Sequence, residues 1–145
     1  MDIHATYTFD APAQAVWDLL MDTERVAACI PGCDRLEPVG DNRYRARLTV
    51  SLAAVSGAFD GTVAMVDQHP PSSYRLLVDG QGRGGFVKGE SAITLADRGS
   101  TTDVSIDGHV QVGGAIARVG QRILSSVAKM MIDRFFGCLQ TKLRP

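Results

Sequence analysis

No stretch of the sequence approaches the ~20 consecutive apolar residues that a membrane-spanning helix needs. The opening residues, MDIHATYTFD, lack the basic and apolar regions of a secretion signal, so a cytoplasmic protein is expected. An excess of one charge is missing too: 15 Lys and Arg stand against 16 Asp and Glu, for a net charge of -1. Without a basic stripe the electrostatic footprint of a nucleic-acid binder is absent, and no nucleic acid is expected among the partners. Cysteine is sparse and odd in number (Cys29, Cys33, Cys138), which argues against a secreted disulfide framework. Aromatic side chains make up only 6% of the residues, with a single tryptophan. What is there is 45% apolar in 145 residues. That is enough for one soluble domain over 1–145, which buries roughly 70% of its unfolded surface without a disulfide or metal staple.

Residues 2–9 alternate, Ile3, Ala5, Tyr7 and Phe9 against Asp2, His4, Thr6 and Thr8, the pattern of a half-buried strand. Asp10 is placed to cap a short helix with Pro12 in its first turn and Val16, Trp17 and Leu20 near one face. Asp22 or Thr23 starts a second, with Val26, Ala27 and Ile30 apolar and Pro31-Gly32 as its stop. From residue 42 the period becomes two. Tyr44, Ala46, Leu48, Val50 and Leu52 share one parity; after a turn near Ser56-Gly57, so do Phe59, Gly61, Val63 and Met65, up to His69-Pro70-Pro71. Tyr74, Leu76 and Val78 mark the next strand. Val87, Gly89, Ser91, Ile93 and Leu95 mark another, and Val104, Ile106, Gly108, Val110 and Val112 the last. From about Ala115 the apolar positions recur in steps of three and four through Leu139, which predicts one helix about 40 Å long. An antiparallel sheet whose apolar parity faces one long helix is an α+β arrangement, and glycines on the inner parity let the strands curl around it.

The order and spacing of several segments carry a resemblance over nearly the whole chain. These are FDAPAQAVWDLLMD, ACIPGC at 28–33, FDGTVAMVD at 59–67, VDGQGRGGFVKGESAITL at 78–95, VQVGGAIARVGQRIL, and the Phe135-Phe136 pair. The chain resembles the START, or SRPBCC, helix-grip superfamily, and within it the CoxG family, that of the carbon-monoxide-dehydrogenase G subunit. The resemblance implies a curved antiparallel sheet of about seven strands wrapped around a long C-terminal helix, with two short helices after the first strand. It also implies a cavity for a hydrophobic small molecule, a quinone or lipid, and a non-catalytic accessory role in maturation or membrane recruitment of a molybdenum-containing hydroxylase. Peripheral contact with the inner membrane face and a homodimer are further partner expectations. Some members carry a long C-terminal tail; this chain stops at Pro145, and no built-in anchor is expected.

Side-chain parity supplies the candidate cavity lining: Phe59, Val63, Leu76, Val78, Val87, Ile106 and Val110 from strands, and Val119, Ile123 and Val127 from the long helix. Trp17 and Ile30 are placed to close one end. Parity alone cannot distinguish a cavity from a filled core built of the same residues. Three other constellations bear on chemistry. Gly80, Gly82 and Gly85 satisfy G-x-G-x-x-G, but a strand follows where a phosphate-binding helix is required, so the reading is a hairpin at the rim. Cys29 and Cys33 lack the further ligands zinc wants, and read as two semi-buried thiols; no metal and no cofactor is expected. His4 and His109 fall on polar parities, where they could meet across outer-face strands. No nucleophile–base pair is evident, so no catalytic residue is assigned. The enzyme alternative, a cyclase or hydrolase, would use Tyr44, Tyr74 or Ser91. The interaction-module alternative has no cavity and acts through Phe136 with Arg118, Arg122, Lys129 and Arg134.

Overall fold

The computed structural model describes residues 1–52 and 55–143. Strand β1 (Asp2–Phe9) is followed by helices α1 (Ala13–Leu20) and α2 (Thr23–Cys29). Six strands come next: β2 (Cys33–Gly40), β3 (Arg43–Leu52), β4 (Val55–His69), β5 (Ser73–Gly82), β6 (Gly85–Asp97) and β7 (Thr102–Gly113). A 3-10 turn over Ala115–Val119 leads into α3 (Gln121–Lys142). The seven strands form one antiparallel sheet in the order β1-β7-β6-β5-β4-β3-β2. Hairpins join β2 through β7 in succession, and β1 returns to pair with β7. The curved sheet grips the long helix, the α+β class that the sequence implies.

Local chemistry explains most element ends. Asp22 caps α2 by accepting from the Arg25 N–H at 3.2 Å. Gly32, at φ +74°, ends the helical segment where a Cβ would stand 2.1 Å from the Thr49 carbonyl oxygen. That close approach lets Thr49 N–H donate to Gly32 O and dock the start of β2 on β3. Between β5 and β6 only Arg83 and Gly84 remain as the turn, so the glycine-rich segment is a hairpin and not a phosphate loop.

The structure adds one strand that the sequence reading did not mark and corrects four expectations. β2 has no alternating signature, because it is an edge strand with register shifts between Cys33 and Arg35 and between Pro38 and Gly40. Ser56 and Gly57 do not turn; they pair with Ser51 and Val50 inside the β3–β4 ladder. The long helix begins at Gln121, since Gly120 at φ +94° interrupts it, and its 22 residues span about 33 Å. Val119 therefore belongs to the 3-10 turn. Asp10 does not cap α1, whose N-cap is Pro12 with no side-chain bond. Finally, Cys29 is not a free thiol beside Cys33: it forms a disulfide with Cys138, with Cα atoms 5.4 Å apart, joining α2 to α3.

The packed core lies toward one end of the grip. Phe9, Val16, Trp17, Leu19, Leu20, Tyr74, Ile93, Leu95, Val104, Ile106, Phe136 and Leu139 form it. Thr102, fully buried there, gives its hydroxyl to Ala11 O at 2.8 Å. Every α3 side chain in or against this core comes from Ile132 onward.

Candidate functional site

The concave face of the sheet is apolar by register. Val63 stands opposite Val78, Val78 opposite Gly89, and Gly89 opposite Val110, which makes one row across β4, β5, β6 and β7. The neighbouring row runs through Met65, Leu76, Ser91 and Gly108. Toward the rim, Val87 faces Gly80 and Val112. In a filled core these side chains would be sealed, as Ile93 and Val104 are. Instead Val63, Leu76, Val78, Val87 and Val110 are only half-buried. On the facing helix Leu124, Val127, Ala128, Met130 and Met131 are half-buried as well. These half-buried apolar positions lie on the concave face of the sheet and on the N-terminal half of α3, outside the packed core.

Of the remaining parity-derived lining residues, Trp17, Phe59 and Ile106 are buried. Trp17 and Ile106 sit in the packed core, and the Phe59 ring fills the space a side chain at Gly82 would need. Ile30 and Val119 are half-buried, and Ile123 is 40% exposed at the start of α3. The rim here also holds exposed Phe86, packed over Gly113, and the exposed Arg83, Arg118 and Arg122. Ile116 N–H donates to Gly84 O at 2.7 Å, fastening the 3-10 turn to the β5–β6 hairpin tip.

A set of contacts fixes the C-terminal half of α3 against β1 and α2. Phe136 is buried and stacks on Tyr7 with centroids 4.5 Å apart, so it is not available as a surface contact. Phe135 meets Phe136 edge to face. The Tyr7 hydroxyl donates to Asp133 Oδ1 at 2.6 Å, and Lys129 Nζ donates to Oδ2 at 2.8 Å. The Lys129 bond first, and then the Tyr7 bond, hold the Asp133 carboxyl below its usual range, while burial and then the Asp133 bond push the Tyr7 phenol up. Gln140 Nε2 donates to Thr8 O at 2.7 Å, and the Cys29–Cys138 bridge completes the clamp. Beside it, a depression of about 220 Å³ between β1 and α3 is lined by Ile3, Ala5, Tyr7, Ala128, Lys129 and Ile132. Sequence reasoning missed the Tyr7–Asp133 link. Its partners are 126 positions apart and each reads locally as an ordinary strand or helix residue.

The candidate catalytic residues do not assemble. His4 and His109 do not meet; each faces an aspartate across β1 and β7, with His4 Nδ1 2.6 Å from Asp107 and His109 Nδ1 2.8 Å from Asp2. Both pairs are exposed on the convex side. Ser91 and Tyr44 make no side-chain hydrogen bond among the described residues, so no oriented base stands next to either hydroxyl.

Residues 6–144 match the family of the carbon monoxide dehydrogenase G subunit (CoxG). The chain belongs to this family. A conserved protein from Geobacillus kaustophilus is 35% identical, with 99% of this chain and 95% of that one covered and a TM-score of 0.96. A START superfamily protein from Mycobacterium smegmatis is 13% identical at TM-score 0.76, covering 98% of this chain and 96% of its own. The Zhui aromatase/cyclase from Streptomyces sp. R1128 is 15% identical at TM-score 0.68, covering 99% and 93%. These two more distant likenesses are of fold alone. Curated protein sequences gave no match. The CoxG family and the START-like fold together indicate a ligand-binding accessory protein.

Proposed function

We propose that this CoxG-family protein carries a hydrophobic small molecule, a quinone or lipid, in the hollow between the sheet and α3. In this role it assists maturation or membrane recruitment of a molybdenum-containing dehydrogenase of the carbon-monoxide type. One observation carries the reading: Val63, Val78, Val87 and Val110 on one wall, and Val127 on the other, are half-buried apolar side chains that stand outside the packed core. An empty apolar hollow forfeits contacts on both walls, and an apolar guest restores them. Val119 and Ile123 would border its mouth, Ile30 and Phe59 its flanks, and Trp17 and Ile106 its closed end. The rim supports contact with an anionic membrane, because Phe86 and Ile123 are exposed beside Arg83, Arg118 and Arg122. The test is native mass spectrometry with organic extraction of protein purified from its own host. A stoichiometric quinone or lipid is expected. Protein that arrives empty, and that takes up neither when titrated, sinks the carrier reading.

A further inference from the structure

The two edges of the sheet are built differently. β2 carries Pro38 and two register shifts, which blunt an edge against further pairing. β1 has neither: its eight residues pair in unbroken register with β7, and no described strand lies on its other side. The Met1 amino group donates to Val110 O, and Val110 N–H donates to Met1 O. The odd-numbered residues of β1 therefore use their backbone groups on β7, and the N–H and C=O of Asp2, His4 and Thr6 point to the free edge. Gln140 Nε2, donating to Thr8 O, marks where α3 closes that edge off. Along the open part lies the depression of about 220 Å³, with Ile3, Ala5, Ala128 and Ile132 in its lining. Free backbone groups beside an apolar slot are what an added β-strand needs.

We propose that the occupant of this edge is β1 of a second copy, paired antiparallel about a two-fold axis through Ile3. In that register Asp2 of each copy stands opposite His4 of the other, and the two exchange both backbone hydrogen bonds. On the outer face Asp2 already pairs with His109, and His4 with Asp107. His4 Nδ1 faces Asp107, which leaves Nε2 for Asp2 of the other copy. Each row across the joined sheets then reads His109, Asp2, His4, Asp107, with acid and imidazole alternating from one copy into the next. A two-residue slip sets Asp2 against Asp2 or His4 against His4, and like groups directly opposite are penalised. A one-residue slip turns Ile3 out of the slot. A longer slip toward Thr8 runs into Gln140. On the inner side Ile3 of each copy faces Ile3 of the other, between the two depressions. The pair forms one continuous sheet with both α3 helices on the same face. This pairing does not depend on a ligand in the hollow.

Sedimentation velocity on the whole chain, from about 1 μM to about 1 mM, should show a reversible monomer–dimer equilibrium. Asp2→Lys and His4→Asp should each lose it. An equimolar mixture of the two should associate at least tenfold more tightly than either alone, because the mixture restores opposite groups in both rows. The register is read by oxidation in a Cys33→Ser background, which removes the free thiol. Ile3→Cys should give a covalent dimer, since both copies place that residue on the axis, and Ala5→Cys, opposite Met1, should not. The cysteine variants keep the native charges, so this arm stands even where a charge variant fails to fold. A chain that stays monomeric throughout overturns the pairing. So does a mixture no tighter than its components, or an Ala5→Cys protein that cross-links as readily as Ile3→Cys.

Discussion

Tyr74 and Tyr7 show how position changes a side chain's chemistry. Both phenols have their ionisation raised, Tyr74 by burial alone and Tyr7 by burial and then by its bond to Asp133. A raised value means the folded state keeps the proton longer than the unfolded chain does. The associated stability is thus complete below the ordinary tyrosine value of 10.0 and is lost as pH rises above it. Melting temperature should fall progressively as pH rises above about 10, and the fall should be shallower in Tyr74→Phe. Equal slopes in the two proteins would show that Tyr74 ionises as freely folded as unfolded.

At the level of elements, the two halves of α3 are anchored very differently. Its second half is fixed by Phe136 on Tyr7, by Leu139 in the core, and by the bridge from Cys138 to Cys29. Its first half begins after Gly120 and contributes nothing to the packed cluster. The bridge ties residues 109 positions apart, and closing a loop that long constrains the unfolded chain strongly, by roughly 2 to 5 kcal/mol. Thiol counting should therefore find one reactive cysteine, Cys33, before reduction and three after. Cys138→Ser, or reduction of the wild type, should lower the melting temperature by several degrees, and reductant should leave the variant's unchanged. Three reactive thiols in non-reduced protein would remove the bridge from the account.

At the scale of the whole molecule, the two ends of the grip differ in character. One end is packed around Trp17, Tyr74 and Leu139. At the other, the β5–β6 hairpin tip is fastened to the 3-10 turn that leads into α3, and Phe86 and Ile123 are exposed beside Arg83, Arg118 and Arg122. A rim of this composition should bind vesicles of anionic lipid at low salt, and neutral vesicles much more weakly. Each basic residue near such a surface contributes about 1 kcal/mol, so Arg118→Glu with Arg122→Glu should weaken vesicle co-sedimentation at least ~30-fold. Protein that stays in the supernatant with anionic vesicles at low salt would leave the rim without a membrane role. No helix among the described residues is long and apolar enough to cross a bilayer.

The alternation from Tyr44 to Val112 and the helical spacing before Leu139 are local, and they determined the strands, the long helix and the class of fold. Parity also placed Val63, Val78 and Val110 on one face, because side-chain direction along a strand follows from the residue's own position. Where the local signal was weak, reading failed: β2 carries two register shifts, and Gly120 breaks a helix whose apolar spacing continues across it. Pairings between distant residues were invisible for a different reason. Cys29 with Cys138 and Tyr7 with Asp133 depend on which elements the fold brings together, and no residue's neighbours in sequence encode that. The same holds for the proposed hollow. Valines with an identical pattern fill a core or line a cavity according to how far away the facing helix is held, and no strand's own sequence encodes that distance.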